Sequence, residues 1–244
     1  MRRTTAVTVS GALAAIVLVS CATTSVVMDY YGERIPGLIG KPDGAGPFPA
    51  VVLMHGCAGV QPQNHIWAGD LNDWGYVTMV VDSFSGRGVR EICSNLSKVT
   101  VPKRTADADT ALQHLRSLPY VIKDRIAIMG WSHGGGVVLS ALSGYRGLSE
   151  RFKAGVAMYP WCRYQTFYAP VLIVIGGADD WNPAELCEDL RRAENVQLEV
   201  YEGVYHSFDN PLPARTYLGH TLGYDHVATV KAKKRVQEFL AKNL

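Results

Sequence analysis

No stretch of this 244-residue chain is dominated by one residue type, and no self-similarity recurs at a period of roughly 20–50 residues. With a charged fraction of only 19%, those absences exclude disorder, collagen, coiled coil and repeat architectures. A prevailing charge is lacking too. Lys+Arg number 24 against Asp+Glu 22, and the excess lies in Arg2 and Arg3; without residues 1–20 the balance is 22 against 22. A neutral body offers no electrostatic footprint for nucleic acid. Lys231, Lys233, Lys234 and Arg235 form the one dense basic cluster and read as the solvated face of a terminal helix. No His or Cys pair has ligand spacing, and there is no C-x-x-C, so no metal is assigned. What is abundant is apolar residue, at 48%, enough for a sizeable core in one large domain or two small ones.

Residues 1–5 carry two arginines, and residues 6–19 are apolar or small with no charge. That is the pattern of an export signal, too short for a comfortable transmembrane span. It ends in Leu18-Val19-Ser20-Cys21, which resembles a bacterial lipobox with Cys21 lipidated as the first mature residue. The alternative is an ordinary cleaved signal with a chance cysteine. Ala22, in place of an acidic residue, favours the outer membrane of a Gram-negative cell. The expected organisation is a signal peptide over 1–20, a short tether over 21–25 and an α/β domain over 26–244. The body is then exported to the cell envelope, touching the membrane through its lipid alone. Export makes Cys57, Cys93, Cys162 and Cys187 candidates for two disulfides, with three connectivities open. Cys57–Cys93 and Cys162–Cys187 are favoured, since each pair links neighbouring loops of the fold derived next.

Residues 49–55 hold an apolar run ending at Gly56 and read as a buried parallel strand, as do residues 76–81. Residues 67–74 are helix-like. Residues 102–118 carry an apolar stripe at Ala108, Ala111, Leu112, Leu115 and Leu118, started at one proline and stopped by Pro119. Strands follow at 125–129, 154–159, 171–175 and 196–201, with helices at 132–143, 184–193 and 225–240. This alternation predicts βαβ units and a mostly parallel sheet covered on both faces. Residues 26–38 alternate loosely and predict a hairpin on the sheet edge. No Pro/Gly/Ser linker divides residues 26–244.

Gly130-Trp131-Ser132-His133-Gly134 is G-x-S-x-G between a strand and a small-residue helix. A sharp strand-to-helix turn forces Ser132 into a strained conformation that presents its hydroxyl, and the flanking glycines remove Cβ atoms that would clash. A serine needs a base, and the base an orienting acid. Downstream, the strand at 171–175 runs into Asp179-Asp180, and the strand at 196–201 is followed by His206. Both positions fall at the crevice side of the sheet. The acid is one of the two aspartates, Asp179 preferred, and His206 is the base. His220 and His226 come later, around the last helix, and Asp209 follows His206 too closely to orient its ring. The oxyanion needs two backbone N–H groups, assigned to His133 and Cys57. Trp67, Trp131, Trp161, Trp181 and Phe208 are candidates for an apolar pocket wall or for the core.

These residues together resemble the dienelactone hydrolase family of α/β-hydrolases. The matching pieces are His55-Gly56-Cys57-Ala58-Gly59-Val60, Asp82-Ser83-Phe84-Ser85-Gly86-Arg87-Gly88, Gly130-Trp131-Ser132-His133-Gly134-Gly135, Gly177-Ala178-Asp179-Asp180 and Tyr205-His206-Ser207-Phe208. The resemblance implies an α/β-hydrolase fold and hydrolysis of a small-molecule ester or lactone with no cofactor. The namesake enzymes have cysteine at Ser132, a glutamate at Gly56 and a substrate-binding arginine at Asn210. Arg87 remains as a candidate anion contact, beside Trp131 as a candidate pocket residue; the alternative for Arg87 is a loop salt bridge. The chain resembles a serine-esterase branch. A peptidase or acyltransferase on the same three residues, and a non-catalytic binding lipoprotein, are the competing readings.

Overall fold

The apolar runs become the buried strands of an eight-stranded sheet. The computed structural model describes residues 22–143 and 151–244. In chain order the strands are β1 (Ala22–Tyr30), β2 (Glu33–Lys41), β3 (Phe48–Met54), β4 (Val77–Val81), β5 (Val121–Trp131), β6 (Gly155–Met158), β7 (Val171–Gly176) and β8 (Val196–Tyr201). Across the sheet they run β1-β2-β4-β3-β5-β6-β7-β8. β3 to β8 are parallel, and β1 and β2 form an antiparallel edge. Every residue of β4, β6 and β7 is buried, as a parallel sheet covered on both faces requires.

The principal helices are α1 (Pro62–Asp73), α2 (Val101–Ser117), α3 (His133–Leu142), α4 (Glu185–Glu188) and α5 (His226–Asn243). The crossover through α1 moves across the sheet one way, and those through α2 and α3 move the other. Right-handed connections therefore put α1 on one face and α2 with α3 on the opposite face. α5 joins α1, where Lys233 Nζ lies 2.8 Å from Asp70. The stripe expected on α2 is buried at Ala108, Ala111, Leu112 and Leu115. This is the α/β-hydrolase fold.

Three local expectations are corrected. Residues 22–25, expected within a tether, are strand: β1 begins at Ala22, which pairs with Lys41, so the edge hairpin is longer than residues 26–38. Thr23, Thr24 and Ser25 continue into Val26 and Val27, a β-prone run, and the free edge of β2 templates it. Residues 1–20 and Cys21 lie outside the described residues. The single helix expected over 184–193 is one α-turn, α4, followed by a 3-10 helix over Asp189–Arg192. Cys187 and Leu190 are three residues apart and both fully buried. Cys187 in α4 and Leu190 in the 3-10 turn thus share the inward side of the segment. The third correction is an addition, a small hairpin of β9 (Arg215–Tyr217) and β10 (His220–Leu222). Its turn residues Leu218 and Gly219 both have positive φ, 50° and 87°.

Candidate active site

The turn between β5 and α3 holds Ser132 at φ 53° and ψ −116°. A non-glycine residue there costs on the order of 1–3 kcal/mol of backbone strain, which the surrounding structure must hold in place. Its amide donates to Met158 O at 2.9 Å, and its carbonyl accepts the first helical bond from Gly136 at 3.0 Å. A methyl group on Gly134 would run into the Met54 carbonyl, and one on Gly130 into the Gly134 carbonyl. Those two positions let the elbow sit directly against the end of β3.

The loop after β7 carries Asp179, 4% exposed. Its Oδ2 lies 2.7 Å from His206 Nδ1. Its Oδ1 accepts the amides of Trp181 at 3.0 Å and Asn182 at 2.8 Å, so both oxygens are held by its own loop and by the histidine. Asp180 faces the other way and accepts the Thr221 amide in the β9–β10 hairpin. The aspartate brought to His206 is therefore Asp179. The His206 ring is wedged between Tyr159 and Trp181, with centroids at 4.7 and 5.4 Å. With Nδ1 on Asp179, Nε2 is left for the cavity that Ser132, Gly56 and Cys57 also line. A methyl group on Gly56 would lie 3.7 Å from Ser132 Cβ, so the loop after β3 passes close to Ser132. His133 opens α3, where amide groups have no acceptor within the helix.

Two buried groups outside the expected site residues tie these loops together. Asp209 is 4% exposed and takes three hydrogen bonds. Trp67 Nε1 and Trp131 Nε1 each donate to Oδ2 at 2.7 Å, and Tyr159 Oη donates to Oδ1 at 2.6 Å. Burial pushes its carboxyl pKa up, and the three donors pull it back. Asp209 thus anchors the His206 loop to the residue preceding Ser132. The second group is Arg104, fully buried on α2. It donates to His55 O at 2.5 Å and to His133 Nδ1 at 2.8 Å, and it stacks 5.0 Å from the Phe84 centroid. No carboxylate is hydrogen-bonded to it among the described residues, and burial lowers its pKa to about 9. Burial, reinforced by that guanidinium, holds His133 neutral with a pKa lowered to about 3. Accepting at Nδ1, His133 carries its proton on Nε2.

One expected substrate contact is corrected, and a second is narrowed. Arg87 is not free to meet an anion: its guanidinium is bound by Glu33 at 2.6 Å and Asp107 at 2.7 Å, with its side chain 9% exposed. It is the loop salt bridge. Trp131 borders the cavity beside Ser132, as expected of a pocket residue, but it is only 1% exposed and its indole N–H is spent on Asp209, so its polar edge is not available to a substrate. Trp67 and Phe208 are fully buried and belong to the core, whereas Trp161 and Trp181 border open space. Cys57–Cys93 and Cys162–Cys187 are disulfides, the favoured pairing.

A serine on a strained elbow beside an Asp–His pair, at the carboxyl ends of parallel strands, defines a hydrolase of the α/β class. The chain belongs to the dienelactone hydrolase family, which it matches over residues 35–244, and it is a carboxylic ester hydrolase. Among its relatives is a Bradyrhizobium protein described as a probable 2-oxo-3-(5-oxofuran-2-ylidene)propanoate lactonase. The two are 24% identical over 242 residues, 83% of this chain and 95% of that one. The dienelactone hydrolase structure from Anabaena variabilis superposes with a TM-score of 0.70 at 18% identity, covering 92% of this chain and 99% of that chain. A propionate-bound thermophilic esterase from Thermogutta terrifontis gives 0.67 at 18% identity, covering 90% and 94%. These two likenesses carry the fold.

Proposed function

We propose that the protein cleaves a carboxylic ester through an acyl-enzyme on Ser132, His206 and Asp179. The observation that carries this reading is the 2.7 Å Asp179–His206 bond beside a cavity that Ser132 also lines. Ser132 Oγ attacks the ester carbon while His206 Nε2 takes its proton. The new C–O bond produces an oxyanion held by the amides of Cys57 and His133. Collapse breaks the bond to the alcohol oxygen, which leaves with the proton from His206. Water then repeats the sequence and releases the acid, and Asp179 keeps the imidazolium oriented throughout. Incubation with a fluorophosphonate probe should label Ser132, and short p-nitrophenyl esters should turn over where a peptide library does not. Cleavage of peptides alone would make the protein a peptidase, and absence of labelling would leave a binding protein.

Arg104 bridges the two loops that supply the oxyanion amides, through His55 O and the His133 ring. Arg104→Met should lower kcat by about tenfold to a hundredfold at little changed KM, less than loss of a donor itself costs. A folded variant with wild-type turnover would reduce Arg104 to packing.

We further propose that the mature protein is exported and held on the envelope by a lipid on Cys21. Two disulfides suit an oxidising compartment. They span 36 and 25 residues, and chain entropy gives about 3–4 kcal/mol for each. Cys57–Cys93 also pins the loop that presents the Cys57 amide. Reductant should therefore lower both the melting temperature and kcat, read by calorimetry and ester assay. Four free thiols in protein isolated from its native cell would argue against export.

A further inference from the structure

Two cavities meet at Ser132. The larger, about 820 Å³, extends from His133 and Gly136 along Leu96, Val101, Leu139 and Trp161. The smaller, about 340 Å³, lies on the His206 side, and its walls include Gln63, Glu91, Ser207, Asn210 and Arg215. Cys57, Cys93, Ser132 and Trp181 border both. The disulfide and the Trp181 ring therefore form the partition, and Trp181 is held upright by stacking 4.8 Å from His220.

Proton transfer fixes which half of an ester each cavity takes. The leaving oxygen must receive its proton from His206, so the alcohol sits on the side that His206 borders. The acyl group then points the other way, past His133 into the larger cavity. Resting on the ester-hydrolase reading above, we propose that the substrate is an ester of a bulky apolar acid with a small, uncharged, hydroxyl-bearing alcohol such as glycerol.

The chemistry of the walls carries both halves. In the larger cavity Leu96, Val101, Leu139, Trp161 and Trp181 offer apolar surface, and Trp161 stands 53% exposed at its margin. Exposed apolar side chains at a pocket margin suit a chain that reaches beyond it. In the smaller cavity Gln63 and Asn210 are each 6% exposed. Gln63 Oε1 and Asn210 Oδ1 are buried with no hydrogen-bond partner among the described residues. Leaving an acceptor unpaired is costly, and a hydroxyl donor from the substrate would recover that cost after a small movement of either amide. The ionic groups on this wall are Arg215 and Glu91, one of each sign, so its net charge is zero, while Arg87 is already neutralised by Glu33 and Asp107. Nothing there selects an ionised alcohol, so a carboxylated or quaternary-ammonium leaving group is disfavoured against a neutral polyol.

The test is a two-way panel on the purified mature protein. One arm holds the acid at octanoyl and varies the alcohol: glycerol, methanol, choline and glycolate. The other holds glycerol and varies the acid between acetyl and octanoyl. The glyceryl ester should exceed the methyl, choline and glycolate esters by about tenfold or more in kcat/KM, and octanoyl should exceed acetyl by a similar factor. Asn210→Leu should collapse the glyceryl-to-methyl ratio and Trp161→Ala the octanoyl-to-acetyl ratio. If the variants exchange these effects, the cavities are assigned the wrong way round. Preference for the glycolate or choline ester, or no preference in a protein that still takes the fluorophosphonate, would overturn the proposal and leave the esterase intact. Failure to take the probe would instead overturn the esterase reading beneath it.

Discussion

Ser132→Ala should lower ester turnover by about four to six orders of magnitude and abolish fluorophosphonate labelling, with the melting temperature unchanged. The size of the loss follows from the division of labour at the site. Without Oγ there is no acyl-enzyme, and His206 with the Cys57 and His133 amides can only assist direct attack by water. Stability should hold for two reasons. Alanine adopts the φ of 53° no worse than serine, and the backbone bonds that fix the elbow, to Met158 O and from Gly136, survive the change. Turnover and thermal shift measured on the same preparation separate this from misfolding. A folded variant that retains even a hundredth of wild-type turnover would show that Ser132 is not the nucleophile. Ser132→Cys should keep the elbow and restore a nucleophile of the family, so weak activity toward thioesters and activated esters is expected.

Legibility in the sequence followed the range of the physics involved. The sharp turn at Ser132 was readable because its constraint is local: a strained residue between a strand and a helix needs glycine on both sides, and that leaves a five-residue signature. Asp179 and His206 were readable because the order of strands fixes which loops reach the crevice. The Asp82–Gly88 loop carried a signature as well, but the role of Arg87 depended on Glu33, 54 residues away, and on Asp107. Asp209 escaped for the same reason. Its three donors, Trp67, Trp131 and Tyr159, come from three separate elements, and no spacing announces them. Arg104 is a harder case, since a lone arginine on an amphipathic helix ordinarily reads as solvent-facing, yet this one is fully buried beneath the site. The β9–β10 hairpin was lost because Leu218 occupies a turn position where Asn, Asp or Gly usually signals the conformation.

The two neighbouring aspartates give the sharpest comparison, because they differ by one residue in sequence and by everything in environment. Asp179→Asn should reduce kcat by about four orders of magnitude, whereas Asp180→Asn should stay within about tenfold of wild type. Asparagine at 179 can still accept the Trp181 and Asn182 amides through its own carbonyl oxygen, so the loop keeps its turn. What it cannot keep is the charge. Its amide nitrogen would face His206 Nδ1 as a donor, forcing the proton onto Nε2, and a protonated Nε2 cannot take the hydrogen of Ser132. The imidazolium formed during attack would also lose its counter-charge in a site where His206 is 3% exposed and water cannot replace it. Asp180, by contrast, has a half-exposed side chain that faces the Thr221 amide and His220. An asparagine there retains an oxygen for that amide, and the cost is confined to the hairpin beyond Trp181. Because the loss at 179 arises from a wrong tautomer of the neutral imidazole, and a tautomer ratio does not change with pH, the deficit should persist as the pH is raised. Steady-state rates of both variants from neutral to alkaline pH are the measurement, and a larger loss at 180 than at 179 would transfer the acid's role to Asp180.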